Sequence, residues 1–394
     1  MPPEVPRSFS CFRLLCLAGF LLFAATAWGA PGTTGLPTVK LDPTGISSSN
    51  ECGLCHKDIY AGWKDSLHAQ ASDNPVFWTA YLRAFYKQGE SAKRACLSCH
   101  APVARINGDF ELSNPLTRES INCDFCHSVS SVESDSQGYR YKHQFSLIKQ
   151  GPLENVSSPV HQTRFNELYK QSLYCAGCHE YQAANGIPLI ETFTEWKESS
   201  YPAKGTHCQD CHMRKKAGKV VDESVKLTSG QEISSHNIAG GHSLAMREQS
   251  LDIQIESVNT HKQRVQVNVA LTNKGAGHKI PTGLPSKKII LEVSVKSKDG
   301  ADLQVQRKVY QKLIVDRDQS PLSDDADLLL GYGDKVISDN RIKPQETVHE
   351  SFTFFVSDIE NHVVSAAVFY SHNPQVIQPA PIHLKMREVS QDLH

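Results

Sequence analysis

Past residue 29 the chain has no cysteine outside one repeated five-residue pattern, and only three methionines, Met213, Met246 and Met386. The first absence removes a free thiol nucleophile, an iron–sulfur cluster and a structural disulfide together. The second leaves little for thioether ligation of a metal. No apolar run beyond the first thirty residues reaches the roughly 18–20 residues that a bilayer span needs. Neither sign of charge is in excess: 41 Lys and Arg against 42 Asp and Glu give −1, so no basic surface offers itself to nucleic acid. With 39% apolar and 21% charged residues the composition is that of a globular protein. Its 394 residues predict two or three domains.

The start of the chain has a different character. Arg7 and Arg13 lead into an apolar stretch from Leu14 to Ala27, and Ala27-Trp28-Gly29 supplies the small residues of a cleavage site. The stretch is about 15 residues, short for a retained anchor. The expectation is a secretory signal peptide over residues 1–29 and an exported, periplasmic protein, with the cell surface or the extracellular space as alternatives. Cys11 and Cys16 leave with that peptide, as do Glu4, Arg7 and Arg13, which moves the formal charge to −2.

What the remainder does contain is a cysteine code. Cys52-Gly53-Leu54-Cys55-His56, Cys96-Leu97-Ser98-Cys99-His100 and Cys123-Asp124-Phe125-Cys126-His127 share one pattern. Cys175-Ala176-Gly177-Cys178-His179 and Cys208-Gln209-Asp210-Cys211-His212 repeat it. This is the c-type haem attachment motif. Two thiols form thioethers with the two vinyl groups of a haem, and the histidine that follows stands under the iron as proximal ligand. Zinc sites pair cysteines without requiring histidine after each pair. Redox dithiols do not recur five times, and a disulfide framework does not confine every cysteine to one spacing. The cofactor expected is five covalently bound haem c groups.

The motifs start 44, 27, 52 and 33 residues apart, which is recurrence without a tandem repeat. The N-terminal half, residues 30–249, reads as a mainly helical and loop multihaem domain. A helix is predicted to open at Asn74 as cap and Pro75 as first residue, with Phe77, Trp78, Tyr81, Leu82 and Phe85 as its apolar face against a haem. From Leu251 the period changes to two. Leu251, Ile253 and Ile255, then Val265, Val267 and Val269, then the segments 289–295, 303–310, 348–356 and 363–370 alternate as strands, with a turn at Lys298-Asp299-Gly300. Residues 250–394 are therefore expected to form a β-sandwich, immunoglobulin-like, without a haem of its own. The fold class is α+β.

Several further stretches carry a resemblance. Trp63-Lys64-Asp65-Ser66-Leu67-His68-Ala69 after the first motif and Glu195-Trp196-Lys197-Glu198-Ser199 before the fifth are two of them. His236 with Gly240-Gly241-His242-Ser243, and Gly277-His278-Lys279-Ile280-Pro281-Thr282-Gly283, complete the set. Over about residues 50–290 the chain resembles the multihaem cytochromes that include the nitrifiers' tetrahaem cytochrome c and relatives of hydroxylamine oxidoreductase. It departs from the tetrahaem members in its fifth motif and its long β-rich tail. It also lacks the Cys-x-x-Cys-Lys site of pentahaem nitrite reductases.

Eighteen histidines less five proximal ones leave thirteen, enough to give every iron a second imidazole. Bis-histidine ligation is the expectation, since Met213 directly follows a proximal histidine and Met246 is remote. The resemblance implies that His68, His161, His236 and His278 ligate, with His242 and His143 competing for the fifth place; His207 is expected at the surface. The function expected is electron transfer between redox partners outside the cytoplasm, other cytochromes or membrane-bound donors and acceptors, with an outer-membrane complex as a candidate assembly. The alternative is an oxidoreductase with one open-site haem acting on a small nitrogen or sulfur compound.

Overall fold

Period-two alternation builds the C-terminal half. In the computed structural model the described residues are 38–136, 138–225, 231–298, 301–357, 359–372 and 381–393. The expected signal peptide, and Asp299 and Gly300 of the expected turn, lie outside them. Seven long strands follow one another: β1 (Leu251–His261), β2 (Arg264–Asn273), β3 (Lys288–Ser297), β4 (Asp302–Tyr310), β5 (Thr347–Phe355), β6 (His362–His372) and β7 (Ile382–Asp392). They form two antiparallel sheets, ordered β5-β2-β1 and β4-β3-β6-β7. One apolar cluster takes Val265, Val267, Val269 and Leu271 from the first sheet and Ile289, Leu291, Val293 and Val295 from the second. Every second residue turns inward, as the pleat requires. A slip of one residue would send all eight to water.

Two strand features were not readable from alternation. β1 runs on to His261, past its apolar section, because pairing with β2 carries it there. β7 has one buried residue within the strand, Met386, so its hydrophobic signal is faint; its ladder with β6 holds it.

Between β4 and β5 an insertion adds a small sheet, Lys312–Val315 flanked by Pro321–Leu322 and Lys335–Asp339, and a short helix, Asp325–Leu329. This insertion binds the two halves together. Ile314 and Leu328 share a cluster with Ala183 and Leu189, and Ala326 meets Ala84 and Ala92. Asp324 and Asp327 pair with Arg83 and Lys87 across the same seam. Pro37–His394 is accordingly one compact unit.

The N-terminal half is a series of short helices which, beyond the expected helix and loop, also carries four two-stranded sheets among its described residues. Val129–Asp135 and Gly138–His143 form a hairpin; five of the seven residues in its first strand are polar, so no apolar alternation announces it. The helix Pro75–Gln88 starts as predicted, the Asn74 side chain accepting from the Phe77 N–H at 2.9 Å. Phe77 and Tyr81 are buried, but Leu82 is 43% exposed, and Ala84 takes the inward place instead. Among the described residues no helix is long and apolar enough to cross a membrane.

Candidate haem-binding centre

Four of the five motifs end a helix on their histidine: Glu90–His100, Cys123–His127, Leu173–His179 and Cys208–His212. In the first motif Ser49–Gly53 carries Cys52, and His56 caps the helix Lys57–Lys64. A helical turn puts residues i and i+3 on one face, so both thiols of a motif point toward the same side. Local capping fixes these turns. The Asn122 side chain accepts from the Phe125 N–H at 2.7 Å. His207 caps the fifth motif, its N–H donating to Asp210 at 2.7 Å and its ring accepting from the Ser172 N–H at 3.1 Å. It is therefore a half-buried structural residue and not a free surface one.

Four proximal histidines each face a second histidine at nearly one separation. Ring centres lie 6.2 Å apart for His56 and His161, 6.3 Å for His179 and His68, 6.4 Å for His127 and His236, and 6.3 Å for His212 and His278. Two metal–imidazole bonds of about 2 Å, with roughly 1.1 Å from each bonded nitrogen to its ring centre, span about 6.2 Å. The rings thus stand one iron apart, and the residues present fit a bis-histidine haem at four motifs.

The backbone sets which nitrogen faces that gap. Nδ1 of His56, His100, His127 and His212 lies 2.6–2.7 Å from the carbonyls of Val220, Ala71, Gln150 and Ala239. His161, His236 and His278 meet the carbonyls of Gln162, Ser234 and Lys279 at 3.1, 2.8 and 2.9 Å. A carbonyl only accepts, so Nδ1 carries the proton and Nε2 is left with a free lone pair. Among the described residues neither ring of the His68–His179 pair has such a partner, and that pair is the most rotated, at 55° between planes. Burial pushes His68 and His236 down to about 4 and His179 to about 3, and lowers His56, His100, His127 and His278 as well. All are neutral at pH 7, the state a metal requires.

The second motif differs. Among the described residues the ring stacked on His100 is Phe77, at 4.2 Å and 24°, and no histidine ring stands opposite. Of the two remaining candidates, His143 lies among Phe125, Tyr141 and Phe145 with its Nδ1 2.9 Å from Ser128 Oγ. His242 is exposed. Among the described residues neither ring stands opposite a proximal histidine ring.

Cysteines of different motifs lie close to one another: Cys52 is near Cys123, Cys99 near Cys178, and Cys175 near Cys208, so attachment points one and three, two and four, and four and five are neighbours. Three tyrosines brace the third motif to the fourth. Tyr169 and Tyr174 hydroxyls donate to the Cys126 carbonyl at 2.7 and 3.0 Å, and Tyr141 donates to the Tyr174 carbonyl at 2.8 Å. Burial raises all three phenols, which keeps them donors. None of this was visible in the sequence, because backbone acceptors leave no residue signature. The Tyr141 ring also occupies the place of a side chain at Gly177, 2.4 Å from where a Cβ would stand. Gly177→Ala is expected to displace a buried ring and cost about 1–3 kcal/mol, read as a lowered thermal midpoint of the holoprotein; an unchanged midpoint would refute the packing argument.

Residues 51–128, which hold the first three motifs, match the family described as cytochrome c554 and c-prime. Among solved structures the chain is similar to a penta-heme cytochrome c552 from Thermochromatium tepidum. That likeness has 22% identity and a TM-score of 0.70, and covers 89% of this chain and 100% of that one; what is shared at this identity is the fold. A putative beta-galactosidase from Bacteroides fragilis aligns over 36% of this chain and 15% of its own, at 12% identity and TM-score 0.18. A putative ApaA protein from Bordetella pertussis aligns over 36% and 93%, at 12% and 0.18. No curated protein matches the chain.

Proposed function

We propose that this chain, a multihaem c-type cytochrome by its motifs and its matches, holds five haems and carries electrons between redox partners outside the cytoplasm. The observation that carries the reading is the four histidine pairs at 6.2–6.4 Å. Bound haem supplies one-electron iron chemistry. The chain's own part would be to hold the iron from both sides at the four paired motifs, so that it neither gains nor loses a ligand as its charge changes. The proximity of cysteines from different motifs supports close succession of the attached groups. Export follows from residues 1–29 and from the chemistry of thioether attachment; the periplasm is the proposed location, with the cell surface as alternative. Proposed partners are other cytochromes or membrane-bound redox proteins, including an outer-membrane complex.

Kinship with the nitrifiers' tetrahaem cytochrome and the relatives of hydroxylamine oxidoreductase rests on the stretches around His68, Glu195, His236 and His278. The immunoglobulin-like reading of the C-terminal half draws support from its sheet orders, three strands facing four over one core. A second reading is favoured by one observation. His100 lacks an opposed histidine among the described residues, so an open-site haem at the second motif would suit an oxidoreductase acting on a small nitrogen or sulfur compound.

Two measurements test these readings. Intact mass of the denatured mature protein is expected to exceed the polypeptide by five haem groups, one per motif; four or fewer in fully matured material sinks the count. Ferric electron paramagnetic resonance is expected to show low-spin signals for the four paired motifs. A high-spin signal confined to one haem, and perturbed by added azide, favours the open site; five low-spin haems exclude it.

A further inference from the structure

The loop that carries His278 is gripped on each of the four residues that follow it. Glu195 Oε2 accepts from the Lys279 N–H at 3.2 Å and from the Thr282 hydroxyl at 2.7 Å. Ile280 exchanges two backbone hydrogen bonds with Ile342, at 2.9 and 3.0 Å. An Arg341 N–H donates to the Pro281 carbonyl at 3.4 Å. Arg341 then closes the ring: it pairs with Glu195 at 2.6 Å and takes Asp339 in a two-pronged contact at 2.8 Å on each prong. The side chains of Arg341 and Glu195 are only 2% and 3% exposed. Lys312, equally buried, holds Glu191 at 2.5 Å on the same helix as its cap residue.

Such a cluster is an expensive choice for mere cohesion. Buried ion pairs contribute little to stability against an apolar packing of the same shape, and their best-attested use is to fix one arrangement among several. Here the arrangement is specific. Glu195 belongs to the N-terminal half, between the fourth and fifth motifs, while Arg341 and the loop belong to the C-terminal half. Glu195 also sits next to Thr194, whose N–H and hydroxyl are taken by Glu180 at 3.0 and 2.8 Å, one residue beyond His179. The helix Thr192–Lys197 is thus fixed to the fourth motif at one position and to the His278 loop at the next. Trp196 adds a wall, 3.3 Å from where a Cβ on Gly277 would stand.

We propose that Glu195 and Arg341 are positioning residues for His278: their buried pair fixes the loop 277–283 so that the ring is kept at ligating distance from His212. This rests on the reading of His212 and His278 as one axial pair. Charge is balanced within the cluster, three cations (Lys279, Lys312, Arg341) against three carboxylates (Glu191, Glu195, Asp339). Removing one member therefore leaves a partner buried and uncompensated, and the loop is the part free to relax.

The test is the rate at which carbon monoxide binds the reduced holoprotein. A haem with two imidazoles takes up carbon monoxide only when its distal ring leaves, so the rate at that site reports how firmly His278 is held. His278→Ala is expected to turn one slow phase into a fast one, which identifies the site. Glu195→Ala and Arg341→Met are then expected to accelerate that same phase about tenfold or more, the equivalent of a tenfold rise in the open population. The remaining phases should be unchanged. Arg341→Lys should recover part of the slow rate, and Arg307→Gln, which breaks an exposed pair with Glu292, should leave it alone. If His278→Ala changes no phase, the axial-pair reading fails. If it does change one, but the Glu195 and Arg341 variants only lower the thermal midpoint and leave the rate unaltered, the positioning role is overturned. Should Glu195→Ala mature without its full haem complement, Glu195→Gln, which keeps an acceptor oxygen without the charge, is expected to give a smaller acceleration of the same phase, and no acceleration counts against the proposal.

Discussion

His278→Ala is expected to move one ferric haem from low-spin to high-spin or water-ligated form and to loosen the seam between the two halves. The ring it removes stands 6.3 Å from His212 and nearly parallel to it, at 16°. Its Nδ1 faces its own neighbour's carbonyl at 2.9 Å, leaving Nε2 for the metal. His278 comes from the connection between β2 and β3, whereas His212 ends the fifth motif, so a shared iron would be a cross-link between halves. An internal ligand bound about a hundredfold over its open state contributes about 2.7 kcal/mol. Thermal unfolding should shift down accordingly, and a single haem contribution should change in the low-temperature spectrum. His349→Ala is the control: its ring faces the Glu256 carboxylate at 2.9 Å on the outer surface of a sheet and should affect neither reading. An unchanged spectrum and midpoint for His278→Ala would remove the axial role.

The attachment chemistry was legible because it needs contiguous residues: thiol, two spacers, thiol, imidazole. The opposed histidines were nameable but not assignable. His68, in the turn between the helices Lys57–Lys64 and Pro75–Gln88, stands opposite His179 of the fourth motif, while His161 stands opposite His56 of the first. Sequence order cannot yield that crossing, since it depends on how the helices return on one another. The strands declared themselves wherever one face was apolar, as at Val265, Val267 and Val269, and stayed hidden where ladder pairing alone held them, as in β7. The Glu195–Arg341 clamp was half visible. Glu195 lies in a stretch that carried a family resemblance, but Arg341 sits in an insertion with no pattern of its own. A charged residue buried at 2% exposure looks in the sequence like any surface arginine.

Gly275→Ala is expected to be the most damaging glycine substitution in the His278 loop, and backbone angle is not the reason. Among the described glycines, neither Gly275 nor Gly277 has a positive φ; of the loop's glycines only Gly283 does, at 86°. What Gly275 provides is room for a neighbouring backbone. A Cβ there would stand 2.0 Å from the Gln249 carbonyl oxygen and 2.9 Å from its carbon, atoms that cannot swing aside as a side chain would. The same approach lets the Lys274 and Gly275 N–H groups donate to the Ser250 carbonyl, both at 3.1 Å, which ties the loop's start to the helix Leu244–Ser250. Forcing a methyl group in must break those bonds and shift the loop, at a cost of roughly 3 kcal/mol, and His278 travels with it. At Gly277 the nearest atoms are Trp196 and Tyr201 ring carbons at 3.3 Å, a tight contact that small ring movements relieve. Gly277→Ala is therefore expected to cost roughly 1 kcal/mol or less and to leave the spin state intact. Thermal midpoints and ferric spectra of the two holoproteins measure the difference. Equal effects, or a larger one at Gly277, would show that the backbone contact at Gln249 is not what demands glycine.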